Sequence, residues 1–180
     1  MAKREQIEEK IADLEYVEKM TNDYLQEKEI VTLKFSKNGS PENYVRERYT
    51  SRGNRFYNKK GGLMKIDQQY YMKQIPNTLK SRLTKLVVSK TSDYYVKINV
   101  DFYVSIQKNE SIKRSVLKEK KIILPAIRPD IDNFEKYLVD VLHNIVFDDD
   151  KRVISLDANK YYSMNPRTEF EVEITIIKEW

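Results

Sequence analysis

The stretch 95-YVKINVDFYVSI-106 constrains the fold more than any other part of this 180-residue chain. Apolar residues occupy every second position from Val96 to Ile106, and most of the positions between them are polar. Successive side chains of a strand point to opposite faces, so the alternation predicts a strand with one buried and one solvated face. Residues 169–177 repeat the alternation. The chain is therefore expected to build a sheet that packs one face against a core.

The rest of the chain switches between helical and extended patterns. Helices are predicted at 4–28, at 64–88 with a break at Pro76, and at 133–146. Further strands are predicted at 31–36, 122–124 and 152–162, a long loop at 37–62 and a basic connection at 107–121. This order predicts an α+β fold, with a mixed β-sheet and flanking helices in a domain of residues 31–180. Residues 1–30 are predicted to form an N-terminal helical extension.

The composition excludes several kinds of site. The chain has no cysteine and a single histidine, His143. The absence of cysteine excludes disulfide bonds and thiolate metal sites. With a single histidine, zinc sites and histidine-based triads are nearly excluded as well. No apolar run reaches 18 residues and the N-terminal stretch is unlike a signal peptide, so a cytoplasmic protein without a membrane partner is expected. His143 stands alone in its predicted helix and is interpreted as a surface or dimer-packing residue.

Positive charge is concentrated in the middle of the chain. Residues 1–30 carry a net charge of −4, whereas residues 46–121 carry +13. The predicted loop interleaves cations, which suit phosphate contacts, with aromatic residues, which suit base stacking. Its cations are Arg46, Arg48, Arg52, Arg55, Lys59 and Lys60. The pattern favours nucleic acid as the partner; the alternative is an ordinary solvated surface loop.

Six aspartates interrupt this basic background between residues 128 and 150. They are Asp130, Asp132, Asp140, Asp148, Asp149 and Asp150. Asp130 and Asp132 are expected in extended backbone, because Arg128 precedes a proline and Asp132 is expected to open a helix. In that conformation their carboxylates share one side. Lys136, one helical turn after Asp132, can reach back toward the pair.

The second acidic run, residues 148–150, follows the helix and precedes a predicted strand. That strand is expected to return Asp149 or Asp150 toward the first pair. Neighbouring carboxylates repel one another, and a divalent cation removes the conflict. All-oxygen ligands suit Mg²⁺ or Mn²⁺, which can polarise a phosphoryl oxygen and activate water. An acidic cluster in a basic protein therefore favours phosphodiester hydrolysis on nucleic acid. Helix capping and turn formation explain the same aspartates without a metal.

Two short stretches, RPDIDNFEK and FDDDKRV, resemble the RusA family of Holliday-junction resolvases. A helix containing VDVL lies between them, and strands containing NKYY and EFEVEI follow. The resemblance is strong over residues 95–177 and looser over 31–94, where it rests on FYNKK and the helix after it. Its most specific elements are D-x-D-N, a lysine three residues after that asparagine, and an aspartate pair about eighteen residues after the second aspartate.

The resemblance implies a RusA-like fold and a Mg²⁺-dependent endodeoxyribonuclease, with Mn²⁺ as an alternative ion. Such an enzyme would nick four-way DNA junctions symmetrically, as a homodimer, in recombination and repair. Four metal-site carboxylates are implied, namely Asp130, Asp132, Asp150 and its partner Asp149. Lys136 would be the essential lysine that stabilises the transition state or leaving group, and Arg128 and Lys160 would contact DNA. Family members often occur in prophages.

Two features depart from the family pattern. The run has three aspartates where the family has two, so the register of the third ligand is open by one residue. Asp150 is preferred, because it is the second member of the pair that precedes Lys-Arg-Val, and Asp140 is interpreted as structural. Residues 1–30 exceed the usual family length, and their acidic balance favours contact with a dimer partner or another protein over contact with DNA.

Two other functions fit the same sequence. One is a nuclease of this fold that acts on another branched DNA. The other is a non-catalytic DNA-binding protein whose aspartates are structural. A pure binding protein has no reason to keep like charges together beside a DNA surface, and this favours a nuclease over the binding protein.

Overall fold

The structure, a computed structural model, describes residues 2–44, 60–89 and 94–177. Within these ranges the helices are α1 (Ala2–Ala12), α2 (Leu14–Glu27), α3 (Lys60–Gln74), α4 (Asn77–Ser89), α5 (Ile112–Glu119) and α6 (Ile131–Leu142). The strands are β1 (Lys28–Asn38), β2 (Tyr94–Ser105), β3 (Val153–Ser163) and β4 (Arg167–Ile177). A single 3-10 turn, Asp150–Arg152, leads into β3. None of the described helices has the length and apolar character that crossing a membrane requires.

The four strands form one mixed sheet in the order β1-β4-β2-β3. The pairs β1–β4 and β4–β2 are antiparallel, whereas β2 and β3 are parallel. Parallel neighbours need a long crossover connection, and here that connection contains α5 and α6. The predicted mixed sheet with flanking helices is confirmed. The crossover places the start of α6 near β3, which is an edge strand of the sheet.

The core lies between the sheet and the helices. The alternating residues of β2 are almost fully buried, with Val96 and Ile98 at 0% exposure and Phe102 at 2%. The inner face of α6 packs against them, and the rings of Phe102 and Phe134 stack with their centroids 5.1 Å apart. Burying each such side chain contributes roughly 1.5–3 kcal/mol. The period-2 pattern of β2 therefore fixes which face of α6 is buried and which is left for solvent.

A buried ionic contact joins three elements beneath α6. Asp67 of α3 is 2% exposed, and its carboxylate accepts hydrogen bonds from Lys37 Nζ at 2.6 and 2.7 Å. It also accepts a hydrogen bond from the hydroxyl of Tyr137, on α6, at 3.1 Å. A buried carboxylate is stable only when its charge is matched in this way. The contact therefore fixes α6 relative to α3 and β1.

Several predicted elements differ from the structure. The helix predicted at 4–28 is two helices, because the carboxylate of Asp13 accepts a hydrogen bond from Tyr16 N at 3.0 Å and starts α2 there. The basic connection at 107–121 contains α5. The strand predicted at 122–124 does not form, because the amides of Ile122 and Ile123 both donate to Leu117 O at the end of α5.

Helix α6 is shorter than the predicted 133–146, because it begins at Ile131 and ends at Leu142. Asn144 has a φ of 64°, a left-handed conformation that asparagine tolerates and that terminates helices. Its amide donates to Phe147 O at 2.8 Å. The apolar residues that follow, up to Phe147, are buried in this turn instead of in a helix. The turn brings the second acidic run back against the sheet.

Candidate active site

Asp130 and Asp132 lie at the N-terminal end of α6. Asp130 is the N-cap residue, with φ −68° and ψ 154°, but its side chain makes no capping hydrogen bond. Asp132 lies within the first helical turn, so the extended backbone expected across both aspartates stops at Asp130. Both residues are exposed. Within the described part of the chain, the contact of Asp132 with Asn133 Nδ2, at 3.5 Å, is the one hydrogen bond to either carboxylate.

The segment before Asp130 is attached to the sheet by Lys160. The Lys160 ammonium, on β3, donates to Ile127 O at 2.8 Å and to Pro129 O at 3.1 Å. These carbonyls flank Arg128, which is exposed and joined to Pro129 by a cis peptide bond. The ammonium predicted to contact DNA is thus engaged with the backbone beside Asp130.

Lys136 projects from the next turn of α6 and is exposed. Its Nζ lies 4.9 Å from the centroid of the Tyr44 ring. The amide of Tyr44 also donates to Asn133 O at 2.8 Å. Tyr44, the last described residue before the basic segment, therefore lies against the first turns of α6. Five of the cations predicted there lie outside the described residues, namely Arg46, Arg48, Arg52, Arg55 and Lys59. Lys60 begins α3, and its side chain is outside the described part as well.

Asp148, the first of the acidic run, has a structural role. Its Oδ1 accepts hydrogen bonds from the hydroxyl of Tyr94 at 2.5 Å and from Arg152 Nε at 3.1 Å. The Arg152 guanidinium lies over the Tyr94 ring, 4.4 Å from its centroid. These contacts, the Tyr94 hydroxyl foremost, lower the pKa of Asp148. The Asp148 side chain is 8% exposed, so it is not available to a ligand.

His143 supports the same turn. As the C-cap residue of α6, it donates from Nε2 to Asp148 O at 2.9 Å. His143 therefore holds the acidic run through the backbone of Asp148, and its interpretation as a surface or dimer-packing residue stays a prediction.

Asp149 and Asp150 differ in availability. Asp149 caps the 3-10 turn, since its Oδ1 accepts a hydrogen bond from Lys151 N at 3.0 Å. Its Oδ2 lies 3.2 Å from Lys151 Nζ. The backbone contact is the main cause of the lowered pKa of Asp149. Asp150 is exposed, and within residues 2–44, 60–89 and 94–177 its carboxylate has no hydrogen-bond or ion-pair partner. The choice of Asp150 as the ligand stays a prediction, and this geometry favours it.

Two further carboxylates of α6 join these residues. Partial burial and the neighbouring charge of Asp150 raise the pKa of Asp140, whereas Lys136 opposes that rise. Burial and the charge of Asp132 raise the pKa of Glu135. Asp140 was interpreted from the sequence as structural. Its spacing of four from Lys136 and eight from Asp132, on one helix face, is the signal that could have placed it here.

The predicted carboxylates do not assemble into one metal-binding group. Among the residues that the structure describes, no three acidic or histidine side chains are placed to hold a single ion. Asp150 accompanies Asp140, eight residues and about 12 Å of helix rise beyond Asp132. The structure thus offers an exposed pair, Asp130 and Asp132, at one end of α6, and a second pair formed by Asp140, farther along α6, and Asp150 of the 3-10 turn.

Comparisons with known proteins identify the family of this chain. The model of the family described as Endodeoxyribonuclease RusA matches residues 38–174. One relative, "Uncharacterized protein YqaN" of Bacillus subtilis (strain 168), is 34% identical over 76 residues, which is 41% of this chain and 54% of that protein. The chain thus matches about half the length of that relative. Because the family match covers most of the chain, including α6, both acidic runs and the whole of β2 and β3, the chain belongs to the RusA endodeoxyribonuclease family.

Proposed function

We propose that this protein is a divalent-metal-dependent endodeoxyribonuclease that resolves four-way DNA junctions by paired nicks. The observation that carries the proposal is the state of Asp130, Asp132 and Asp150 in a member of this family. All three carboxylates are exposed, and neighbouring groups do the structural work in their segments. For Asp130 and Asp132, which are one residue apart, keeping like charges together without structural partners is otherwise costly.

The donor chemistry at Asp130 and Asp132 fits magnesium. Mg²⁺ is usually held by one or two carboxylates, together with water and substrate phosphate oxygens. Two exposed aspartates separated by one residue supply that set, with Asp149 and Asp150 as the further acidic groups. A bound ion would polarise the phosphoryl oxygen and lower the pKa of bound water.

The basic residues around α6 supply the complementary charge. Lys136 lies on the exposed face between Asp132 and Asp140, where its ammonium can offset the negative charge that develops at the scissile phosphate. Arg128, exposed beside Asp130, is proposed to contact the DNA backbone. The basic segment that begins after Tyr44 is proposed to bind the remaining phosphates. A homodimer would match the two-fold symmetry of a four-way junction and nick opposed strands.

The decisive experiment incubates a synthetic four-way junction with wild type, Asp132→Asn or Asp157→Asn, in Mg²⁺ and in EDTA. Asp157 is the matched control, because it is an exposed aspartate on β3 whose neighbours Leu156 and Ala158 face the core. We expect symmetric nicks with wild type and Asp157→Asn in Mg²⁺ alone. Asp132→Asn should bind the junction as well or better without cutting it, because a repulsive charge is gone.

Other outcomes identify the alternatives. Cutting of flaps or forks but not of four-way junctions would assign a nuclease of the same fold with another branched substrate. Junction binding without cutting, in any divalent metal, would assign a non-catalytic DNA-binding protein. Cleavage by Asp132→Asn at the wild-type rate would remove the metal-site proposal.

A further inference from the structure

Lys160 has the geometry of an internal support and not of a DNA contact. It pairs in register with Phe102 of β2, whose side chain is 2% exposed in the core. Directly opposed residues on neighbouring strands share a face of the sheet, so Lys160 points to the side that carries α6. Its neighbours Asn159 and Tyr161 lie on the opposite, open face. This register directs the Lys160 side chain toward the segment that precedes α6.

The ammonium of Lys160 is used where it points. Its hydrogen bonds to Ile127 O and Pro129 O employ two of its three donors. A phosphate contact by the same group would have to compete with these charge-assisted bonds, which are stronger than neutral ones. The positive charge of Lys160 is therefore committed to the chain itself.

The segment that Lys160 holds has few other attachments. Residues 124–130 form neither helix nor strand, and Pro125 and Pro129 have no amide hydrogen to donate. Within the described ranges, the backbone hydrogen bonds of this segment are local, from Ala126 N to Leu124 O and from Asn133 N to Asp130 O. Lys160 is thus the link between the sheet and the backbone that precedes Asp130.

We infer that Lys160 is a positioning residue: it holds the backbone before α6 so that the Asp130 carboxylate is oriented to bind the metal ion. The inference rests on the proposed function, since it assigns Lys160 to the metal-binding end of the site. It replaces the phosphate contact that the family resemblance implied for this lysine. Loss of a group that orients a metal ligand typically lowers metal affinity or activity about 10- to 100-fold.

The test compares Lys160→Met and Lys160→Arg with the control Lys34→Met. Lys34 is an exposed lysine of β1 that pairs with Glu171, on the face of the sheet that points away from the core. Lys160→Met is expected to lower kcat for junction cleavage and to weaken Mn²⁺ binding, measured by electron paramagnetic resonance, each about tenfold or more. KM, junction affinity and the salt dependence of binding should stay at wild-type values. Lys160→Arg should recover part of kcat, because a guanidinium can still donate to two carbonyls.

A phosphate contact predicts a different pattern. The slope of log affinity against log salt would become shallower by about 0.9 in Lys160→Met, with kcat unchanged, and that result overturns the inference. Thermal unfolding of each variant identifies loss of the fold as a separate cause of low activity. If Lys160→Met unfolds, Lys160→Arg distinguishes the two roles: a lower kcat with an unchanged salt slope supports positioning, and the reverse supports a phosphate contact.

Amide hydrogen exchange separates this inference from the proposed function. The amides of Ala126 and Asn133, which donate to carbonyls on either side of the two that Lys160 holds, should exchange faster in Lys160→Met than in wild type or Lys34→Met, whether or not the protein cleaves DNA. Unchanged exchange there overturns the positioning role. Faster exchange in a protein that neither binds Mn²⁺ nor cuts DNA would overturn the proposed function, and with it the catalytic consequence of the support.

Discussion

The two acidic segments at the ends of α6 are held in opposite ways. In residues 128–132 the carboxylates of Asp130 and Asp132 take no part in holding the backbone, because Lys160 holds it from β3. In residues 148–150, by contrast, two of the aspartates themselves hold the segment. Asp148 lies between Tyr94 and Arg152 and accepts hydrogen bonds from both, and Asp149 caps the following turn. In both segments some aspartates are thereby left exposed. A carboxylate can serve a ligand only where another group has taken over the local structural work.

The difference also predicts how each segment fails. The segment before α6 depends on a side-chain contact to two carbonyls, so losing it should displace Asp130 while the core stays intact. The turn after α6 depends on a partly buried ion pair, Asp148 with Arg152, so losing one partner should destabilise the fold itself. Activity and stability are therefore expected to separate between the two ends of α6.

The largest expected contrast is between Asp148→Ala and Asp150→Ala. Asp148→Ala leaves Arg152 and the Tyr94 hydroxyl without their acceptor, and should lower the free energy of unfolding by on the order of 2–3 kcal/mol. Asp150→Ala should change it by less than about 0.5 kcal/mol, as is usual at exposed sites. Urea unfolding measures both values. Junction cleavage should show the reverse order, with a loss of about 100-fold in Asp150→Ala. Equal unfolding free energies would remove the contrast.

A smaller effect is expected in the pH dependence of stability. The contacts of Asp148 with Tyr94 and Arg152 lower its pKa in the folded state. The resulting stabilisation is present above the unfolded pKa of about 4 and is lost as the pH falls through the folded pKa. The unfolding free energies of wild type and Asp148→Asn should therefore differ by a constant amount above about pH 5 and converge below about pH 4. A difference that persists unchanged to pH 2 would contradict the assigned cause.

The smallest effect concerns the pairing of Asp140 with Asp150. The charge of Asp150 contributes to the raised pKa of Asp140. Asp150→Asn should consequently lower the pKa of Asp140, and carboxyl-carbon NMR titration measures that change. Asp157→Asn, on the other face of the sheet, should leave it unaltered. An unchanged Asp140 pKa in Asp150→Asn would show that the two carboxylates are not neighbours in solution.

Much of the fold was predictable because its signals are local. The alternation of residues 95–106 predicted β2 and its buried face, and the apolar spacing in α6 predicted its inner side. The failures occurred where a hydrogen bond ended an element. Asp13 divides the N-terminal helix, and Asn144 ends α6 early. Such breaks depend on the conformation of single residues, which periodicity averages over.

The candidate site was predictable in residue type but not in arrangement. The spacing of Asp130, Asp132 and Lys136 identified the exposed end of α6, because helix geometry follows directly from sequence separation. The roles of Asp148 and Lys160 could not be read in the same way. The role of Asp148 depends on Tyr94, which is 54 residues away in the sequence. The role of Lys160 depends on carbonyls more than 30 residues before it.

Sequence alone sufficed for the four strands, the buried face of β2 and the acidic character of the ends of α6, since these follow from patterns a few residues long. Tertiary structure alone decided which aspartates are left for a ligand. Adjacent and chemically identical residues such as Asp148 and Asp150 differ only in what the fold brings against them. Burial beside a hydroxyl and a guanidinium commits the first, and exposure leaves the second available.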